Sequence, residues 1–227
     1  VDSGVHARHP HIRGVEGGVA VGDGGKIEEG SYSDFLGHGT AVMAAIQEKA
    51  PEAEYYAVKL FHSSLRTTTP CLLSAIYWAI EQDMDVVNLS LGSRNQDFLP
   101  HFKKISDLAA ERGTLLVAAK EAHGEPCLPG SIPGVFGVGL DFDCNRNRYR
   151  CERNETGVVY YASGYPRSLE GMPRERNLNG ISFAVANMSG FILRSGERHK
   201  LESGERLSTK IIDQALVSEQ AALDTLT

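Results

Sequence analysis

Between residues 53 and 140 the chain alternates short apolar, β-branched runs with longer segments whose apolar positions recur every three or four residues. Tyr56, Val58 and Leu60 alternate with Ala57, Lys59 and Phe61, which predicts a half-buried strand over 56–61. Leu72, Ala75, Ile76, Ala79 and Ile80 fall at helical spacing and predict a helix over 71–82. A strand is expected over 85–91, ending at Gly92, and a helix over 98–112, closed by Gly113. Residues 114–119, 135–140 and 158–162 read as further strands, with the rest of 142–180 as loop rich in Gly, Pro, Arg and Asn. A buried helix over 182–194 and a more amphipathic one over 207–222 complete the pattern. Strands apolar on both faces, interleaved with helices, predict an α/β fold with a mostly parallel sheet covered on both sides. No internal repeat or Pro/Gly/Ser-rich linker divides the chain, so a single domain over 1–227 is expected. Ligands of such sheets bind beyond the carboxyl ends of the strands.

Composition narrows the partners. The 227 residues carry 23 basic and 29 acidic side chains, a net charge of -6, the wrong balance for a protein whose main partner is a nucleic acid. No run approaches the roughly 18 apolar residues of a membrane span. Cys71, Cys127, Cys144 and Cys151 permit two disulfides in three connectivities, with Cys144 and Cys151 flanking a short polar loop, or else four thiols. Their spacing does not match a zinc site. His6, His9 and His11 share no helix face, and no metal is expected on them. Gly17, Gly18 and the glycines of 22–25 lack a following Gly-Lys-Ser/Thr and read as a flexible surface loop. Arg146, Arg148, Arg150 and Arg153 read as a solvated loop. Glycosylation patterns begin at Asn88, Asn154 and Asn187, of which only Asn154 falls outside a buried element.

Three short motifs sit where chemistry is expected. Asp2-Ser3-Gly4 is expected to lie at the end of a preceding strand. Gly37-His38-Gly39-Thr40 opens a helix of small apolar residues, and Gly180-Ile181-Ser182 opens another. A serine hydroxyl attacks at neutral pH only when an imidazole takes its proton. A buried carboxylate then fixes the imidazole tautomer and stabilises the imidazolium. A helix start adds free N–H groups that favour developing negative charge.

In this order the motifs resemble those of the subtilisin-like serine proteases, the subtilase family. Asp2-Ser3-Gly4-Val5 with His9-Pro10 is similar to the aspartate motif, Gly37 to Val42 to the histidine motif, and Gly180 to Ala186 to the serine motif. Asp85 to Gly92 is similar to the strand whose end, Ser90-Leu91-Gly92, pairs with the substrate backbone. The resemblance is strongest over 1–195 and leaves 196–227 as a C-terminal helical extension. It implies a three-layer subtilase-like fold and cofactor-free hydrolysis of a peptide or protein substrate, with Ser182 as nucleophile, His38 as base and Asp2 as the orienting carboxylate. Specialised processing of a precursor peptide is the expected role, with a precursor peptide or a partner subunit as the expected partner. No acidic calcium loop is recognisable.

The departures are specific. Where the family carries an oxyanion-binding Asn, this chain reads Lys120-Glu121-Ala122-His123-Gly124. Strand alignment puts Ala122 there, and a slip of one residue puts Glu121 or His123. Loss of such a donor costs about 100- to 1000-fold in rate, so slow hydrolysis is expected. The rival expectation is a pseudoprotease that only binds a peptide. The family's aspartate also follows a central strand, and the residues before Asp2 leave a raw sheet edge or an internal gap to be expected.

Overall fold

Alternation fixes which side of the sheet each strand residue serves. Along β5 (Leu115–Ala119), Leu116 and Ala118 join one core, while Leu115, Val117 and Ala119 join the other. The computed structural model describes residues 1–154, 157–203 and 206–224. The first core is closed by α2 (Thr69–Glu81) and α3 (Leu99–Arg112) through Ile76, Ile80, Phe102 and Ile105. The second is closed by α4 (Ile181–Ser203) and α5 (Thr209–Asp224) through Val185, Met188, Ile212 and Leu216. Helix α1 (His38–Gln47) lies on the α4 side, where Val42, Ala45 and Ile46 meet Phe183 and Ala186. The result is the three-layer α/β arrangement that the pattern predicts.

The sheet falls into two parts. One has the order β2 (Ile27–Glu29), β1 (Gly17–Val21), β3 (Tyr56–Lys59). The other runs β4 (Val86–Leu89), β5, β8 (Phe136–Leu140), β10 (Gly157–Ala162), β9 (Tyr149–Asn154). Pairing is parallel except at the two outer strands, β2 and β9. Val1 and Asp2 bridge the parts: the Val1 nitrogen donates to the Asn88 carbonyl at 2.8 Å, and Asp2 N–H to the Val58 carbonyl at 3.0 Å. Behind them, an internal gap separates β3 from β4.

Several expectations need correction. Gly17 and Gly18 do not belong to a flexible loop but open a strand in which Val19, Ala20 and Val21 are buried. Arg150 and Arg153 lie on β9, an edge strand whose charges suit an exposed edge. Tyr149 anchors that strand, its hydroxyl donating to the Leu216 carbonyl and Glu219 carboxylate of α5. Helix α4 continues nine residues past Arg194, so 196–203 belongs to it. For the four cysteines, where disulfides and thiols both stood open, no disulfide is formed. Cys144 turns its thiol toward the carbonyls of Asn145 and Arg148 instead. Asn88 and Asn187 have their side chains committed inside the protein, and Glu155 and Thr156 of the remaining pattern lie outside the described residues.

Candidate active site

The aspartate and histidine meet because two backbone turns approach more closely than side chains allow. A Cβ on Gly39 would lie 2.2 Å from the Gly4 carbonyl and 3.1 Å from an Asp2 carboxylate oxygen. Only glycine lets α1 start against the Asp2–Gly4 turn. His38 Nδ1 then sits 2.8 Å and 3.0 Å from the two Asp2 oxygens, and Ser3 N–H donates to Oδ1 at 2.6 Å. Asp2 is 6% exposed, so this pair works in a low-dielectric setting. The contact fixes Nδ1 as the protonated nitrogen and leaves Nε2 to accept. The imidazole also rests on Phe183, with ring centroids 5.3 Å apart.

Asp34 braces this corner. Its carboxylate accepts from the Ser3 hydroxyl at 2.9 Å, the Gly37 and Leu36 N–H groups at 2.9 Å, and the Thr40 hydroxyl at 2.6 Å. Burial alone would push this carboxyl up, but the bonds from Thr40, Leu36 and Ser3 hold it below its ordinary 3.8. Its stabilisation is therefore complete above the unfolded value and is lost as pH falls through the folded one. Asp34→Ala is expected to destabilise the protein by about 2 kcal/mol at neutral pH. Urea unfolding from pH 7 towards pH 2 checks this: the gap to wild type narrows on acidification, and a constant gap would contradict it.

Ser182 lies in the first turn of α4, after Gly180 at φ 136°. Its hydroxyl donates to the Ser90 carbonyl at 2.9 Å rather than to His38. The chain at Ser90 is held in turn by Asn88, whose amide donates to Ser90 Oγ and whose oxygen accepts from Ser189, both at 2.9 Å. The chain at Ser90 and α4 thus share one hydrogen-bonded brace. Beyond it, a Cβ on Gly92 would meet Cys127 Sγ at 2.6 Å, so the backbone there can rest directly on the cysteine.

His38, Ser182, Ser90, Leu91, Gly92, Ala122 and His123 all border one cleft of about 350 Å³. Asp2 stands behind His38, and Glu121 does not border the cleft. Ala122 ends β6 (Glu121–Ala122), which forms a hairpin with β7 (Glu125–Pro126). The turn residues His123 and Gly124 both have positive φ, 56° and 78°, as a tight two-residue hairpin requires. Sequence reasoning missed Phe61, Leu65, Arg94 and Cys127, which also line the cleft. Burial pushes the Cys127 thiol up, the opposite of what a competing nucleophile needs. Arg94 pairs with Glu125 at 3.1 Å at the exposed rim, a contact of small energetic weight. Among the described residues, no group of three or more His, Cys, Asp or Glu is placed to hold a metal, and no helix is long and apolar enough to cross a membrane.

Comparison with known proteins gives the family. A model of the subtilase family matches residues 1–225. The chain is 31% identical over 213 residues to the subtilisin-like protease SBT6.1 of Arabidopsis thaliana, covering 84% of this chain but 20% of that protein. It is 30% identical over 212 residues to subtilisin DY of Bacillus licheniformis, covering 84% of this chain and 72% of the relative. Among solved structures it is similar to a lanthipeptide protease, with TM-score 0.69, 17% identity and coverage of 94% and 76%. A cold-adapted subtilisin-like serine proteinase matches with TM-score 0.67, 19% identity and coverage of 94% and 77%. The chain belongs to the subtilase family of subtilisin-like serine proteases.

Proposed function

We propose that this protein is a serine endopeptidase in which Ser182, His38 and Asp2 act as a triad. The observation that carries the reading is the buried Asp2–His38 contact at 2.8 Å beside a cleft bordered by both His38 and Ser182. A peptide lies extended along Ser90 to Gly92, and its backbone N–H takes over the Ser90 carbonyl. That releases the Ser182 hydroxyl towards His38 Nε2. Oγ attacks the scissile carbonyl as its proton passes to Nε2, and Asp2 stabilises the imidazolium. The imidazolium then protonates the leaving amine, and the C–N bond breaks to give an acyl-enzyme. Water, deprotonated by the same nitrogen, hydrolyses the ester.

The oxyanion forms next to the Ser182 N–H, and Ala122, which stands where the family carries its amide, offers no side-chain donor to it. Trimming of a precursor peptide is the role we assign. A lanthipeptide protease is among the structural neighbours, and a slow site suits a dedicated substrate. Incubation with mixed synthetic peptides, read by mass spectrometry, tests the reading: new termini support it. Intact peptides bound by folded protein overturn it in favour of peptide holding.

In the same assay, Ala122→Asn is expected to raise kcat by about 10- to 100-fold with little change in KM. It adds a donor useful only once the oxyanion develops. Unchanged or lower kcat would contradict the assignment of Ala122 to that position.

A further inference from the structure

The segment 163–180 leaves the end of β10 and returns to the start of α4, so its two ends meet just ahead of Ser182. There the Gly180 N–H donates to the Gly164 carbonyl at 2.9 Å. The Gly180 carbonyl accepts in turn from the Phe183 N–H at 3.1 Å, which closes the first turn of α4. Asn187, five residues after Ser182 on the same helix, holds this neck from its other side. Its amide donates to the Ser163 carbonyl at 2.8 Å and to the Tyr165 carbonyl at 3.0 Å, one on each side of Gly164. The side chain is fully buried and stands outside the cleft beside Ser182. Its Oδ1 has no hydrogen-bond partner among the described residues, so the group serves as a double donor. Leu140 and Phe142 pack on the same stretch: a Cβ on Gly164 would lie 2.4 Å from the first and 2.8 Å from the second. The Tyr165 carbonyl also accepts from Arg146 Nε at 3.1 Å, and Arg146 pairs with Glu48 at the end of α1. The neck therefore joins the helix of Ser182 to the helix of His38.

We propose that Asn187 is a positioning residue for hydrolysis at Ser182: it fixes the neck at Gly164 and, through Gly180, aims the Ser182 N–H and hydroxyl. The inference rests on the protease reading. First-turn N–H groups have no partner within their helix, so their direction is set by the residues that start it. Here the start is Gly180 at φ 136°, a residue with little conformational preference of its own. The bonds to Gly164 and from Phe183 hold it instead. Ala122 leaves the developing oxyanion without a side-chain amide, so the aim of the Ser182 N–H matters more than where two donors share the charge. A misplacement of about 1 Å at such a group is enough to cost about 100-fold in rate. Asn187 touches no substrate and acts only through the backbone it holds.

The test reads hydrolysis and amide exchange on the same proteins, well below their Tm. Asn187→Ala is expected to lower kcat by about 10- to 100-fold with KM within about threefold, since the groove at Ser90 to Gly92 is left as it is. Tyr149→Phe is the control. It removes a buried hydrogen bond between β9 and α5, away from the neck, and should leave kcat within about twofold. The Gly180 amide should exchange at least about tenfold faster in Asn187→Ala than in wild type, and at the wild-type rate in Tyr149→Phe. A kcat loss no larger than the control's, a loss expressed in KM instead of kcat, or unaltered Gly180 exchange overturns the proposal. Wild-type protein that cuts no peptide overturns the protease reading itself, whereas active wild type with an Asn187→Ala variant of normal kcat overturns the positioning role alone.

Discussion

Ser182→Ala is expected to lower peptide hydrolysis by roughly 10⁵- to 10⁶-fold while leaving peptide affinity and Tm close to wild type. The scale is that of removing one member of a cooperating triad, calibrated on a subtilisin. The hydroxyl makes a single hydrogen bond in the free protein, to the Ser90 carbonyl. Truncating it leaves one partly accessible carbonyl, a minor loss for a fold held by two large cores. Turnover and folding therefore separate cleanly at this position. A fall of less than about 100-fold would mean that some other group attacks the substrate, and a large fall in Tm would mean that Ser182 is chiefly structural.

Asp2→Asn should lower kcat by about 10⁴-fold through a different cause. The isosteric amide keeps the volume but not the charge. Its N–H₂ can face His38 only if the ring accepts at Nδ1, which puts the proton on Nε2 and leaves the serine without a base. The Ser3 N–H, 2.6 Å from Oδ1, favours keeping the amide oxygen on its own side and reinforces the wrong tautomer. Steady-state kinetics check this: kcat falls while KM stays within a few-fold. A variant that kept most of its kcat would remove Asp2 from the catalytic arrangement.

Much of this site was legible from sequence because its chemistry-bearing residues sit in local motifs. The Gly-His-Gly and Gly-Ile-Ser runs each mark a helix start, and a helix start is set by the few residues around it. The cleft lining was less legible. Phe61, Leu65 and Cys127 come from loops whose positions depend on long-range contacts, such as the Ser93–Leu128 pairing that brings residues 127–128 beside Gly92. Strand β9 was missed because its charged residues suit an outer edge, and its partners on α5 lie some seventy residues away. Strand β1 was masked by its opening glycines, although Val19 to Val21 bury fully once β3 lies alongside. The unpaired edges flanking the gap follow from strand order, which no local pattern encodes.

The central claim is that Ser182 is a nucleophile primed by His38. Treatment of the folded protein with a fluorophosphonate, followed by peptide mapping, tests it most directly. The account predicts one equivalent of phosphonyl adduct on Ser182, abolished by Ser182→Ala and strongly slowed by His38→Ala. Folded protein that stays unlabelled, or labelling on another residue with Ser182 intact, would contradict it.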